Sequence, residues 1–326
     1  MMTAASEHRD MEISTSTSQE YFGTAPPVGV HLPTADEILA LCDDHPRSHV
    51  VYPADSPVFW IKYDNTVFWN EVAAQTMAHR ELRRCNSPVR APAVYYAFRR
   101  GFVNYIVMEY IPGKTAGALL EESDDQAAKD DVVRKVAMGL SELHRIPVPA
   151  GSCPAAIDGG RIRHVLFDER EAPRHYEDGS QLELHFLEKT RRKAQLCRLA
   201  QEPLVFCFSD TYPDNFLLDA CGQLIVVDFA DVSILPSSFA KYAVCKNRFG
   251  VDMERLVHTP TTDPVNNDND NDNGNDNTFA LRAASGSVVV SPYFFAKLGR
   301  RMPGGDEEVQ TRIEDAVQER SRAESY

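Results

Sequence analysis

The segment that most constrains this chain runs Phe208-Ser209-Asp210-Thr211-Tyr212-Pro213-Asp214-Asn215 and resumes at Leu224-Ile225-Val226-Val227-Asp228-Phe229. The apolar runs 204–208 and 224–227 read as short buried strands. An Asp and, five residues later, an Asn therefore sit in a loop between strands, and a second Asp closes the strand that follows. Taken singly, Asp210 would open an Asx-turn, Asn215 would cap a turn and Asp228 would end a strand. The ordered set, with apolar strands on both sides, carries more information than any member.

The flanking sequence predicts where such a loop would be housed. Residues 49–52 and 58–62 are β-branched and aromatic runs separated by Pro53, Asp55, Ser56 and Pro57, which predicts a hairpin. A helix is expected over 69–82, with Trp69, Val72, Ala73, Thr76 and Met77 along its apolar face, and strands over 93–98 and 105–110. Past Gly113 the pattern turns helical. Ser123-Asp124-Asp125-Gln126 has capping-box spacing, and Val133, Val136, Ala137, Leu140 and Leu143 form one stripe that ends before Pro147. A second amphipathic helix is expected over 182–199, and Val309, Ile313, Ala316 and Val317 are spaced for a last one. Residues 1–32 read as a disordered arm, 33–113 as a small lobe with its hinge, and 114–326 as a larger lobe. That lobe is interrupted by an Asn/Asp-rich insert, 263–278, which buries nothing.

The layout of 206–242 resembles the catalytic loop and metal-binding strand of the aminoglycoside-phosphotransferase-like kinases, whose loop commonly reads H-G-D-x-x-x-x-N with Asp-Phe or Asp-Trp downstream. The resemblance implies an α+β, two-lobed protein-kinase-like fold with a small, mainly antiparallel β lobe and a larger helical lobe. It also implies use of Mg-ATP. Asp210 would then face the hydroxyl of a small-molecule acceptor, and Asn215 and Asp228 would supply the oxygens that Mg²⁺ takes alongside phosphate. Lys62, at the end of the hairpin, and Glu71, early in the next helix, match the family's phosphate-binding lysine and its glutamate partner. Tyr105-Ile106-Val107-Met108-Glu109-Tyr110-Ile111-Pro112-Gly113 is similar to the strand leading into the hinge. Met108, Glu109, Tyr110 and Ile111 would border the adenine, with the backbone of 109–111 bonding it. An exposed strand lysine, a solvated helix glutamate and a plain buried strand are the other readings of these residues.

The sequence departs from the family where Phe208 stands for His and Ser209 for Gly. No glycine lies in 48–58 to form a phosphate loop. These departures keep a second reading open, a pseudokinase or nucleotide-binding module. A protein kinase is disfavoured, since Tyr212 stands where that family has Lys and no Ala-Pro-Glu follows Asp228. Gly113-Lys114-Thr115 fails as a phosphate loop because Met108 stands where the motif needs Gly.

Composition narrows the partners. The formal net charge of -14 lacks the basic footprint that nucleic acid or an anionic membrane requires. No apolar run approaches the ~20 residues of a membrane span. The seven cysteines are odd in number and none forms C-x-x-C, so reduced thiols and a cytoplasmic setting are expected.

Overall fold

The computed structural model describes residues 19–43, 48–66, 69–189, 196, 198–261 and 277–285. The first lobe contains β1 (Glu20–Phe22), α1 (Ala35–Asp43), β2 (His49–Tyr52), β3 (Phe59–Asp64), α2 (Trp69–Arg84), β4 (Val89–Arg90), β5 (Val94–Arg100) and β6 (Val103–Glu109). Five of the strands make one antiparallel sheet in the order β1-β5-β6-β3-β2. Residues 20–22, expected within the disordered arm, instead close one edge of this sheet. Tyr21 pairs with Ala97, and its hydroxyl donates to Thr76 Oγ1 at 3.2 Å.

Strand alternation gives the sheet two faces with different work. Phe59, Ile61, Tyr95, Tyr105 and Val107 pack on the outer face with Ile38 and Cys42 of α1. The start of α1 is a capping box: the Thr34 N–H donates to Glu37 Oε2 at 2.7 Å, and Glu37 N–H returns to Thr34 Oγ1 at 3.4 Å. Ile106, Met108 and Trp60 lie on the inner face, against Val72 of α2. Lys62, opposite His49 and Ile106 in the ladder, shares the inner face because it is two residues beyond Trp60.

α2 corrects the expected apolar face. Its buried residues are Asn70, Glu71, Val72, Ala74, Gln75, Ala78, Glu81 and Leu82, whereas Trp69, Ala73, Thr76 and Met77 are only half-buried. Packing places a polar stripe inward because α2 lies between the lobes, and those side chains find partners there. Its Ala74, Ala78 and Leu82 join the main core with Val136, Leu140, Phe208, Phe216 and Phe229.

The second lobe follows β7 (Gly113–Thr115) and contains α3 (Ala116–Glu122), α4 (Gln126–His144), β8 (Ala155–Ala156), α5 (Gly179–Lys189), β9 (Leu204–Phe208), β10 (Phe216–Asp219), β11 (Leu224–Val226), β12 (Val232–Pro236), α6 (Ser237–Cys245) and α7 (Asn277–Ser285). A β carbon at Gly113 would stand 2.6 Å from the Leu218 carbonyl, so glycine is what lets β7 lie against β10. The expected stripe of α4 is buried throughout. Its cap is Asp125, which accepts from the Ala127 N–H at 3.0 Å. Ser123 and Gln126 form no capping box, because Gln126 already lies in the helix and bonds Asp130. α5 begins before 182, and residues 190–195 lie outside the described set, as do most of the 263–278 insert and the helix expected around 309–317. Asn277 and Thr278, expected in that insert, begin α7. Among the described residues no helix is long and apolar enough to cross a membrane, and no cysteines pair as a disulfide.

Two buried histidines, His144 and His164, make this lobe acid-sensitive, since burial lowers the pKa of each to about 4. His164 is fully buried; its Nδ1 accepts from the Leu166 N–H at 3.1 Å and its Nε2 donates to the Phe239 carbonyl at 3.2 Å. Burial lowers its pKa to about 4, despite the Phe239 bond and the Asp231 carboxylate, which favour the charged form. Between pH 6.5 and 4 the unfolded chain therefore binds a proton that the folded chain refuses, so stability falls as pH falls through that window. The expected loss is about 3 kcal/mol from His164 alone. Urea unfolding at a series of pH values should show this slope, reduced by nearly that amount in His164→Gln. An unchanged slope in the variant would remove the assignment.

Candidate active site

β9, the loop after it, and the β10–β11 hairpin bring the signature residues to the mouth between the lobes. The hairpin register pairs Phe216 with Val226. Just beyond it, the Val227 N–H donates to the Asn215 carbonyl at 2.9 Å, which sets Asp228 beside Asn215. The Asn215 amide donates to the Asp210 carbonyl at 2.9 Å. That bond fixes the flip of the amide and leaves Asn215 Oδ1 as the outward group, with no hydrogen bond among the described residues. The backbone of Asp228 is left-handed, at φ 61° and ψ 69°. A non-glycine residue there costs of order 1–3 kcal/mol, which its surroundings must offset, as strained residues at functional sites require.

Phe208 braces the loop from within the core. It is 1% exposed and sits edge-on to Phe229, the residue after Asp228, at 5.5 Å, and to Phe216 at 5.9 Å. The ring packs the loop against the strand that carries Asp228. Ser209 locks the same junction, because its N–H and hydroxyl both donate to the Asp231 carbonyl, at 3.1 and 3.0 Å.

The lobes meet through three charges. Lys62 Nζ reaches Glu71 Oε1 at 2.7 Å and Asp228 Oδ1 at 3.1 Å. Burial alone would lower the lysine pKa, but Asp228 and Glu71 outweigh it and hold the ammonium well above its ordinary range. Burial pushes the Glu71 carboxyl upward, opposed by Lys62. Asn70, the residue before Glu71, fastens the same helix to the far lobe. Its Nδ2 donates to the Ala230 and Val232 carbonyls at 3.0 and 2.8 Å, and its Oδ1 accepts from the Ile157 N–H at 2.7 Å.

The hinge is narrower than expected as a donor surface. The Glu109 N–H is bound to the Ala93 carbonyl at 2.8 Å and the Tyr110 N–H to the Val58 carbonyl at 2.9 Å. The Ile111 N–H makes no hydrogen bond among the described residues and is the donor left on this stretch. The Glu109 carboxylate is held by Arg90 at 2.6 Å and the Ala93 N–H at 3.2 Å. Met108 is buried beside α2, its sulfur accepting from Gln75 at 3.4 Å. On the sheet's other side β2 is an edge strand, with no strand outside it among the described residues.

Asp210 has a neighbour that sequence reasoning missed. Arg170 Nη1 lies 2.9 Å from Asp210 Oδ2 and also bonds Asp231 Oδ2. Asp231, 5% exposed, in turn holds Arg163 Nη2 at 3.2 Å. Asp231 is three residues past Asp228 and could have been suspected from that, but Arg170 and Asn70 lie in no motif.

Mg²⁺ is a hard ion that commonly uses one or two protein oxygens plus those of phosphate. Asn215 and Asp228, at the two ends of the β10–β11 hairpin, carry side-chain oxygens of the kind such an ion takes, and the Asn215 amide is anchored through its nitrogen. Among the described residues no three His, Cys, Asp or Glu side chains gather as a protein-only cage.

The family model described as the phosphotransferase enzyme family matches residues 70–237. Solved structures similar to this chain include aminoglycoside phosphotransferase APH(4)-Ia, 14% identical over 61% of this chain and 68% of that one, with a TM-score of 0.41. Another is the aminoglycoside-3'-phosphotransferase of type VIII, 17% identical over 80% of this chain and 95% of that one, with a TM-score of 0.38. A third is the streptomycin-ATP-APH(2")-IIa ternary complex, 16% identical over 70% and 82%, with a TM-score of 0.40. No curated protein matches the chain.

Proposed function

Since this chain belongs to the phosphotransferase enzyme family, we propose that it transfers the γ-phosphate of ATP to a hydroxyl of a small molecule. One observation carries the reading: a lysine from the small lobe's sheet, a glutamate from its helix and an aspartate from the far lobe meet at 2.7 and 3.1 Å across the cleft. A partly buried lysine held between two carboxylates is costly to assemble, and such arrangements cluster at functional sites.

Each residue then has a task. Lys62, held upright by Glu71, meets the nucleotide's phosphates. The Ile111 N–H bonds the adenine edge, while Tyr110 and Glu109 keep the hinge backbone seated through their bonds to Val58 and Ala93. Asn215 and Asp228 would hold Mg²⁺, which when bound supplies positive charge to offset the crowded phosphate oxygens. Asp210 orients the acceptor. The acceptor oxygen forms its bond to the γ-phosphorus, the bond from that phosphorus to the β–γ bridging oxygen breaks, ADP leaves, and the acceptor's proton passes to Asp210. A loose transition state keeps the proton on the acceptor until late, so Asp210 need not be a strong base.

Transfer from labelled Mg-ATP should be measured against a panel of sugars, amino-sugars, aminoglycosides and choline-like amines. A labelled product with at least one alcohol, abolished by EDTA, is the expected result. The lack of a glycine in 48–58 to cradle phosphate favours one second reading, a nucleotide-binding module without turnover. Mg-ATP binding with no product across the whole panel would select it. No binding at all would end both.

A further inference from the structure

Arg170 is the feature of the cleft that this scheme leaves unused. It projects from a tight turn, Asp168–Arg170, whose last two residues are left-handed, at φ 52° for Glu169 and 59° for Arg170. Neither is glycine, so the turn holds two strained residues in succession. What over-determines them is a chain of ion pairs. Arg170 bridges Asp210 and Asp231, Asp231 holds Arg163 at 3.2 Å, and Arg163 reaches Glu171 at 3.0 Å. The strand beneath fastens the strap: the Arg163 N–H donates to Ser233 Oγ at 2.8 Å, and that hydroxyl donates back to the Arg163 carbonyl at 3.1 Å. The Val165 N–H donates to Ser209 Oγ at 3.2 Å, one residue before Asp210. Burial alone would weaken the Arg170 charge, but Asp210 and Asp231 raise its pKa, so it stays a cation.

We propose that Arg170 is the positioning residue of Asp210: it grips Oδ2 and so turns Oδ1 toward the acceptor hydroxyl, with Asp231 and the 161–171 strap holding the arginine in place. The inference rests on the proposed phosphotransfer and adds to it a residue that no motif contains. The division of labour follows from the contacts. Oδ2 is engaged by Arg170 at 2.9 Å, while Oδ1 has no hydrogen bond among the described residues. A carboxylate held by one oxygen keeps a single orientation, which is what an acceptor hydroxyl needs to be aimed in line. The planar fork of arginine can bridge two carboxylates at fixed geometry, whereas a lysine ammonium offers one mobile point charge.

The test uses the full chain with Mg-ATP and the best acceptor of the panel, or water if phosphate release is the faster reaction. Arg170→Met should lower kcat by about 100-fold while KM for ATP moves less than twofold. Arg170→Lys should fall between, and free guanidinium ion added to Arg170→Met should restore part of the rate. Because Arg170→Met removes one of the two arginines that hold Asp231 and is exposed to misfolding, Arg170→Met/Asp231→Asn is the second variant. It should melt near the wild type and still turn over slowly. Wild-type rates in Arg170→Met, or full recovery in the double variant, would overturn the positioning role, since the arginine would then merely neutralise Asp231. A wild-type chain that neither binds nor turns over Mg-ATP would instead remove the phosphotransfer reading, and this inference with it.

Discussion

Asp210→Ala is expected to cut phosphate transfer by about 10³-fold while leaving Mg-ATP affinity within a few-fold of wild type. The asymmetry follows from where Asp210 sits. It contacts neither Lys62 nor Glu71, which form their own cluster with Asp228; its side-chain partner is Arg170. Its backbone carbonyl, which accepts from the Asn215 amide at 2.9 Å and the Tyr212 N–H at 2.8 Å, survives the substitution. The loop that presents Asn215 therefore keeps its shape, and the loss falls on the chemical step. Calorimetric titration with Mg-ATP alongside the transfer assay separates the two quantities. Parallel loss of both would place Asp210 in nucleotide binding and withdraw its role toward the acceptor.

Asp228→Asn should instead damage both quantities. Asparagine tolerates the left-handed backbone that position 228 adopts, at φ 61°, so the substitution removes charge with little added strain. It takes a negative charge from 3.1 Å of Lys62 and leaves that ammonium with Glu71 as its remaining carboxylate partner at 2.7 Å. It also replaces a carboxylate by a neutral amide at the proposed magnesium site, where a hard cation gains most from negative oxygens. The expected result is transfer reduced on the order of 10³-fold, and ATP binding that no longer tightens when Mg²⁺ is added. Titrations with ATP in EDTA and in excess Mg²⁺, on wild type and variant, read this directly. A variant that kept the full magnesium enhancement would exclude Asp228 as a metal ligand.

The two substitutions answer different questions about one loop. Asp210 pairs with Arg170 and Asp228 with Lys62, and Asn215 is tied to the backbone at or beside each: its amide bonds the Asp210 carbonyl and its carbonyl accepts from the Val227 N–H. Arg170 adds a third side, pairing with both Asp210 and Asp231.

The amino-acid sequence alone determined the parts of this protein that depend on neighbours in the chain. The short strands around the Asp-x-x-x-x-Asn loop follow from apolar runs bounded by turn residues. The α4 stripe follows from helical periodicity, and the cluster of Lys62, Glu71 and Asp228 was foreseeable because a family motif fixes their order. Only the tertiary structure decided which face of α2 turns inward, because Asn70, Glu71 and Gln75 are buried for the sake of partners far away in sequence, at Ala230, Lys62 and Pro92. It also decided which hinge amides remain to donate, since Glu109 and Tyr110 spend theirs on the Ala93 and Val58 carbonyls, a pairing that no local pattern assigns. Arg170 meets Asp210 across forty residues of chain, through a strained turn and a buried carboxylate. Periodicity and propensity describe the backbone nearby, whereas the pairing of buried charges is settled by which surfaces the finished fold brings into contact.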